Sequence, residues 1–547
     1  MAGTGKTTIA KTICVEAKSD AAIVLGGSFF CSRATGLASQ RDIRCVVPTL
    51  AQLFAQQSAE FRLALAGTID PGIQHLEVAA QVEQLLYTPL LALRDSCVPI
   101  LFVIDALDEC GGETSDGILD NAECHAVVAS ILVALVGLTQ SDPKLPVKFL
   151  VTSRPEPQIR DTPISSDKLS QILRLHTVDI TEVNADIRQY ITRTLDNKLS
   201  NQPKLRAAIS DGEVENLVRL SDGLFIVAAT ALKHTIGAGA DAAVSKFKRL
   251  LNGSGDSLNA RAASPLDGIY AMILLEAASE NGSEATDLPA LLRLLASLLS
   301  ARMTLSIAAL AELLDLETYD VRASLSRLHS VVHVPEDDDV PGLRTVHASF
   351  GDYLHGRAAS HIRFSRSFGH TVLGHACLNE MGRRLHFNIS HSPSSYDSNP
   401  SARPNSISIA LEYACLHWAH HIAAYRPGDE IVSDVSSFDA KIGRMFRPKF
   451  LFWLEVMSAL DKFSLTPGLL SVAHAVVSHL QRFPLAYLHC YRLATFWSHS
   501  FYATPRYLWH RLMTRSSGVH PIYTFRHCRL QTRNRLFMRT SPHTALV

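Results

Sequence analysis

Near the start of the chain, Ala2-Gly3-Thr4-Gly5-Lys6-Thr7-Thr8 runs directly into residues 9–19 (IAKTICVEAKS), which have helical character. The run matches all but the first position of G-x-x-x-x-G-K-[ST], a loop whose glycines let backbone N–H groups approach phosphate oxygens closely. Such a loop connects a strand to a helix, so it constrains the fold more than any other feature of the chain. Bound phosphates would lie at the helix N-terminus, with Lys6 reaching the β/γ-phosphates and the Thr7 hydroxyl holding Mg2+. Gly3, Thr4, Gly5, Lys6, Thr7 and Thr8 are the candidate nucleotide-binding residues. The first glycine of the pattern and the hydrophobic strand before it fall outside the sequence. The expectation is therefore a chain that begins partway into the loop, with an incomplete phosphate grip.

Strand–helix alternation comes next. Residues 22–31 (AIVLGGSFFC) read as a buried strand, and 43–66 and 74–94 have helical periodicity. Two strong strands, Pro99–Asp105 and Val147–Ser153, flank a helix near 121–138. This order predicts a parallel sheet covered by helices on both faces, an α/β fold. After about residue 165 the character turns helical, at 183–198, 212–234 and 241–252. A Gly/Ser/Asn linker (252–264) leads into helical stretches at 265–278, 288–300 and 306–330. A short strand pair over 331–346, turned by the acidic EDDDVPG (336–342), suits the wing of a winged helix. Helices at 361–385 and 408–425 are divided by a polar loop at 390–406. No internal repeat of 30–50 residues is present.

Three elements carry candidate chemistry. Leu101-Phe102-Val103-Ile104-Asp105 is a hydrophobic strand ending in an acid, and ligands of open α/β sheets bind at that end, so Asp105 is a candidate for the Mg2+ shell. Asp108 and Glu109, one turn on, would orient or deprotonate an attacking water. The alternative is that they form an acidic N-cap. Phe149–Thr152 delivers Ser153-Arg154, where Arg154 would sense a γ-phosphate or would be an ordinary surface arginine. ATP is favoured over GTP: the closest approach to a guanine-reading N-K-x-D is Asn197-Lys198-Leu199-Ser200, which lacks the Asp.

Taken in order, these elements resemble the NACHT-type NTPases of the STAND class, the nucleotide switches of NOD-like receptors. Asp105-Ala106-Leu107-Asp108-Glu109 looks like their Walker B segment. Ser221–Thr230 looks like the helical-domain segment of fungal members, and Pro265-Leu266-Asp267-Gly268-Ile269-Tyr270 looks like their entry to the winged-helix domain. His347-Ala348-Ser349-Phe350-Gly351-Asp352-Tyr353-Leu354 looks like the winged-helix motif. By that resemblance His347 would bind the β-phosphate of ADP and hold a closed state; the alternative is a histidine satisfied at a domain interface. The resemblance covers roughly residues 2–480. It implies a P-loop domain over 1–165, a helical domain over 166–255, a winged helix over 265–360 and a helical region over 361–480. It also implies ATP/ADP and Mg2+ as cofactors, at most slow hydrolysis, self-association on activation, a protein effector and a cytoplasmic location. The competing function is a non-hydrolysing interaction scaffold that has lost its nucleotide.

The remaining signals set bounds. Lys plus Arg equal Asp plus Glu at 52 each, which argues against a polyanionic partner for the whole chain. The ten cysteines show no C-x-x-C pair or framework spacing, as in a reduced intracellular protein. The apolar runs Ala126–Leu138 and Leu288–Leu299 fall short of the ~20 residues a membrane helix needs. His417, His420 and His421 share a helix face, which reads as helix packing more readily than as a zinc site, for want of a fourth ligand. Residues 481–547 are basic and without any Asp or Glu. They read as a disordered tail or a shifted reading frame, more readily than as an arm for RNA or anionic lipid.

Overall fold

The computed structural model describes residues 3–32, 38–68, 77–94, 98–110, 121–142, 144–156, 159, 174–200, 206–207, 209–236, 240–252, 264–278, 288–391, 406–425 and 436–478. The sequence expectations for the tail over 481–547, and for most of the loops at 252–264 and 390–406, lie outside these residues. The chain divides into two compact units: Met1–Ala308 with Glu317–Gly369, and Ala309–Leu316 with His370–Val547.

The first unit begins with helix α1 (Lys6–Ser19) and strand β1 (Val24–Phe30), followed by helices α2 (Val46–Gln57) and α3 (Ala59–Ala66). Strand β2 (Ile100–Asp105), helix α4 (Asn121–Ser141) and strand β3 (Val147–Val151) complete a parallel sheet of order β1-β2-β3. Its register pairs Val24 with Ile100, Phe30 with Asp105 and Ile104 with Val151. Central β2 is buried at every position. Its side chains alternate between two cores, as the two-residue period of a strand requires. Leu101 and Val103 pack with Ala10, Cys14 and Ala17 of α1. Ile100, Phe102 and Ile104 pack with residues of α2, α3, α4 and the helical run over 78–93. The α/β expectation, with helices on both faces, holds for this unit.

Phe102 anchors the larger core. Its ring stacks on Phe149 at 5.5 Å and meets Phe54 edge-on at 5.7 Å. The neighbouring strand makes room for it: β1 shifts register between Leu25 and Gly27, and a Cβ on Gly26 would lie 2.7 Å from the Phe102 ring. A glycine in a strand interior commonly marks such a close approach.

Several stretches that read as single helices are broken. Ser58 leaves the helical region (φ −110°) and its hydroxyl accepts the Phe61 N–H, separating α2 from α3. The 212–234 stretch becomes two helices, one ending at Ser221 and one beginning at Phe225, because Asp222 and Gly223 turn left-handed. Asp315, at φ 60°, ends a helix within 306–330. In each case a residue suited to caps and turns sits inside an apolar periodicity that continues past it.

After β3 the unit is helical: α5 (Ile180–Lys198), α6 (Asp211–Ser221), α7 (Phe225–Ile236), α8 (Ala240–Asn252), α9 (Pro265–Ala278) and α10 (Leu288–Ser300). Glu276 joins three of them, accepting from His234 at 3.1 Å and pairing with Lys246 at 2.6 Å and Arg249 at 2.8 Å. The His234 hydrogen bond, with Lys246 beside it, holds the Glu276 carboxyl down at about 2 despite burial. The next helix, α11 (Ile307–Leu314), falls mostly in the second unit; in the first, α12 (Thr318–Ser326) is followed by strands β4 (Val332–His333) and β5 (Arg344–Thr345), which form a two-residue antiparallel ladder. The acidic turn between them is tied back by Arg322, whose Nε donates to Asp338 at 2.6 Å. Helix α13 (Ala348–Asp352) comes next.

The second unit is built on α15 (Ile409–Ala423), α16 (Ser436–Ala459) and α17 (Thr466–Ser478), after α14 (Arg366–Arg384), which it shares in part with the first unit. Trp418 and Trp453 are fully buried and both pack on Phe446. His421 faces Tyr413 Oη at 2.7 Å and His370 at 2.9 Å, and His417 packs on the Tyr413 ring. Among the described residues no group of three or more His, Cys, Asp or Glu side chains is placed to hold a metal, and no helix is long and apolar enough to cross a membrane.

Replacing Phe102 by Ala removes the ring on which both the β1 bulge and the Phe54 and Phe149 contacts depend. We expect a loss of about 3–5 kcal/mol, measured as a lowered urea midpoint by far-ultraviolet circular dichroism. A loss below about 1 kcal/mol would show that the site relaxes around the cavity and that Phe102 is not the anchor.

Candidate functional site

The Gly3–Thr8 loop has the backbone its glycines predict. Gly3 lies at φ 82° and Gly5 at φ 90°, a region that a side chain makes costly. Gly5 immediately precedes α1, so the loop feeds the helix N-terminus, where first-turn amides lack intrahelical acceptors and the dipole favours an anion. Gly3 is further confined by α7. A Cβ there would fall 2.1 Å from Ile226 Cγ2, and the Ile226 N–H donates to the Gly3 carbonyl at 3.4 Å. Lys6 Nζ lies 3.5 Å from Thr4 Oγ1, while Thr7 and Thr8 stand exposed on the first turn of α1.

Asp105 ends β2 with its side chain buried. Thr152, the residue after β3, secures the chain just beyond that acid. Its hydroxyl donates to Asp105 Oδ1 at 2.5 Å and accepts the Ala106 N–H at 3.0 Å, and its carbonyl accepts the Leu107 N–H at 3.0 Å. Ala106 is left-handed at φ 55°, a conformation uncommon for a residue with a Cβ. These three hydrogen bonds hold the turn that carries Asp108 and Glu109 towards the tip of β3.

Asp108 acts there as an acceptor for the next strand. Its Oδ1 takes the Arg154 N–H at 2.8 Å and the Ser153 hydroxyl at 3.3 Å, and its Oδ2 lies 3.3 Å from Arg154 Nε. Arg154 also lies 3.8 Å from Glu109 and makes a 2.7 Å ion pair with Asp352 of α13. It is therefore not an ordinary surface arginine: its side chain is only 19% exposed. Burial alone would lower its pKa, but Asp352, followed by Asp108 and Glu109, outweighs that and raises it.

His347 is the residue before α13 and caps it, Nδ1 accepting the Ser349 N–H at 3.1 Å. Burial, then the nearby Arg154 and Lys6 cations, push its pKa down to about 4, with Asp352 opposing. Lys6 is likewise lowered, first by burial; Arg154 adds to this, while Asp108, Asp105 and Glu109 oppose it. The candidate nucleotide-site residues thus all lie within one unit, and Lys6, Arg154 and His347 interact electrostatically.

Four residues of this constellation had no role assigned from sequence: Thr152, Asp352, Tyr270 and Ser349. Thr152 could have been noticed as the polar residue ending an apolar strand. The others lie within the segments already singled out around 265–270 and 347–354. Asp267 of α9 supports the second of these, accepting from Arg357 at 3.0 Å.

A family model described as Nephrocystin 3, N-terminal matches residues 1–154, a stretch that ends at Arg154. No curated protein matches the chain.

His347 stays neutral in the folded chain down to about pH 4, whereas in the unfolded chain it protonates near 6.5. Its contribution is therefore constant above about 6.5 and becomes increasingly unfavourable as pH falls towards 4. His347→Asn retains a cap acceptor and removes this titration. Between pH 7 and pH 4 the parent chain should lose about 3 kcal/mol more unfolding free energy than the variant, read by urea denaturation. Parallel pH profiles would show that His347 is not held neutral.

Proposed function

We propose that the chain is a nucleotide-dependent signalling switch of the NACHT type, binding ADP in a closed form and ATP in an open one. The Gly3–Thr8 loop takes the phosphates, with Lys6 at the β/γ positions. His347 contacts the β-phosphate of ADP and Arg154 the γ-phosphate of ATP. Asp108 and Glu109 orient the attacking water in a slow hydrolysis that resets the switch. The order of elements supports a P-loop domain over 1–165, a helical domain over 166–255, a winged helix over 265–360 with β4 and β5 as its wing, and a helical region over 361–480. By the same reading the open form self-associates and engages a protein effector in the cytoplasm.

The observation that carries this reading is the ion pair between Arg154 and Asp352 at 2.7 Å. It links the tip of β3 to the segment bearing His347. A γ-phosphate at Arg154 competes with the Asp352 carboxylate for the same guanidinium, so ATP and ADP differ in their contacts with α13. Such differential contact is what a ligand needs to shift a conformational equilibrium. Lys6 and Arg154 also disfavour each other's charge in a half-buried setting, a cost that a polyphosphate placed between them removes.

The residues present suit Mg2+. Thr7 offers a hydroxyl on the exposed first turn of α1, and Asp105 has a second carboxylate oxygen besides the one bonded to Thr152. Mg2+ takes few protein ligands, with phosphate oxygens and waters completing its shell. When bound it would neutralise charge on the β- and γ-phosphates.

Nucleotide carried through purification, released by denaturation and identified by chromatography, tests the proposal: ADP is expected. Lys6→Ala should weaken binding of a fluorescent ADP analogue by about 10–100-fold. Asp352→Asn, which leaves Arg154 without its closest anion, should speed analogue release by roughly tenfold. Unchanged affinity in Lys6→Ala would refute the site, and a folded chain that neither retains nor binds nucleotide would favour the interaction scaffold.

A further inference from the structure

Two donors converge on one ring nitrogen of His347. The Ser349 main-chain N–H points at Nδ1 at 3.1 Å, and Ser349 Oγ lies 2.7 Å from the same atom. A main-chain amide cannot reverse its role, so Nδ1 is the acceptor and carries no proton. The Ser349 hydroxyl must then also donate to Nδ1, sharing that atom's one lone pair with the amide in a three-centre bond that uses the hydroxyl's single hydrogen. Its oxygen lies 2.8 Å from Tyr270 Oη. With its hydrogen committed, that oxygen accepts, and Tyr270 donates. Only one set of directions satisfies all three groups: Tyr270 to Ser349 to His347.

Tyr270 is well fixed for this. It is 1% exposed, and its ring meets Phe350 at 5.1 Å and Tyr353 at 5.5 Å. Burial raises its pKa to about 12, so the phenol keeps its hydrogen at any working pH. It lies on α9, whose Asp267 accepts from Arg357 beyond α13, so the same helix is tied to this segment twice.

We propose that Tyr270 is a positioning residue which, through Ser349, fixes His347 as a neutral imidazole and leaves Nε2–H as its one donor for a phosphate oxygen. The phosphate contact rests on the proposed nucleotide switch; the tautomer rests on the hydrogen bonds alone. An imidazolium would set an Nδ1 hydrogen against the Ser349 N–H and force the hydroxyl to turn round against the Tyr270 hydrogen. The charged groups around the ring are Arg154 at the tip of β3, Lys6 of α1 and Asp352 of α13. The two cations also oppose protonation. His347 thereby becomes a hydrogen-bond donor that does not titrate across the range in which histidines ordinarily do.

The test is the two-bond proton–nitrogen spectrum of the histidines in the full chain, with His347 assigned by its loss in His347→Asn. We expect Nε2–H with an unprotonated Nδ1, unchanged from pH 8 to pH 5. Tyr270→Phe keeps the ring but frees the Ser349 hydroxyl to accept from an Nδ1 hydrogen. The His347 titration should then rise by about one unit or more, roughly a tenfold gain in the ratio of imidazolium to imidazole at pH 5. Ser349→Ala should raise it too, and provides the same readout if the Phe variant does not fold. A packing role alone would lower the melting temperature without moving the titration. A wild-type Nδ1–H tautomer, or an unmoved titration in both folded variants, would overturn the relay. Addition of ADP separates the two claims: a shifted Nε2 resonance supports the phosphate contact. Bound analogue with an unmoved Nε2 would overturn that contact while the tautomer still supports the relay.

Discussion

A strand buried on both faces has no lateral outlet for polar side chains, so β2 must place its first acid at its end. Everything at the candidate site depends on that constraint. Leu101 to Ile104 fill the two cores, and Asp105 is the first position at which a carboxylate escapes them. Because β1 and β3 run parallel to β2, their C-terminal ends emerge beside it. The sheet thereby brings Asp105, the 106–109 turn and the Thr152-Ser153-Arg154 tip together at one edge, most of them just past the ends of regular elements.

Charge at this end is kept in balance by reciprocity. Arg154 is held by Asp108, Glu109 and Asp352, and Lys6 feels Asp108 and Glu109 at longer range. A half-buried cation is tolerable only with anions close by. The arrangement is consequently sensitive to any further anion. On the proposed reading, a polyphosphate would redistribute partnerships that already exist instead of entering an empty field.

The parts legible in the sequence were those carried by local pattern. The apolar runs of β1, β2 and β3, the glycines that turn left-handed before α1, and the acid at the end of β2 can each be read within a few residues. Helix ends at Ser58, Asp222 and Asp315 were not, because the apolar period runs through them while the backbone obeys the capping residue. Thr152 was missed because its role is to bond a neighbouring strand. The Arg154–Asp352 pair spans 198 residues, and no spacing rule relates them. Likewise Tyr270 and His347 come together through the packing of α9 on the 347–357 segment, a product of tertiary structure alone.

The close fit of Gly3 on Ile226 has a mechanical consequence. There is no room at Gly3 for even a methyl group, and the Ile226 amide donates to its carbonyl, so this residue is held against the start of α7. Interiors packed this tightly transmit displacement instead of absorbing it. A shift of the backbone at Gly3 would therefore be met first by Ile226. α7 is joined through Glu276 to α8 and α9, and α9 carries the tyrosine behind His347. Hydrogen bonds thus run from Gly3 through α7 and α9 to the 347–354 segment, a connected path that starts at the smallest residue in the loop.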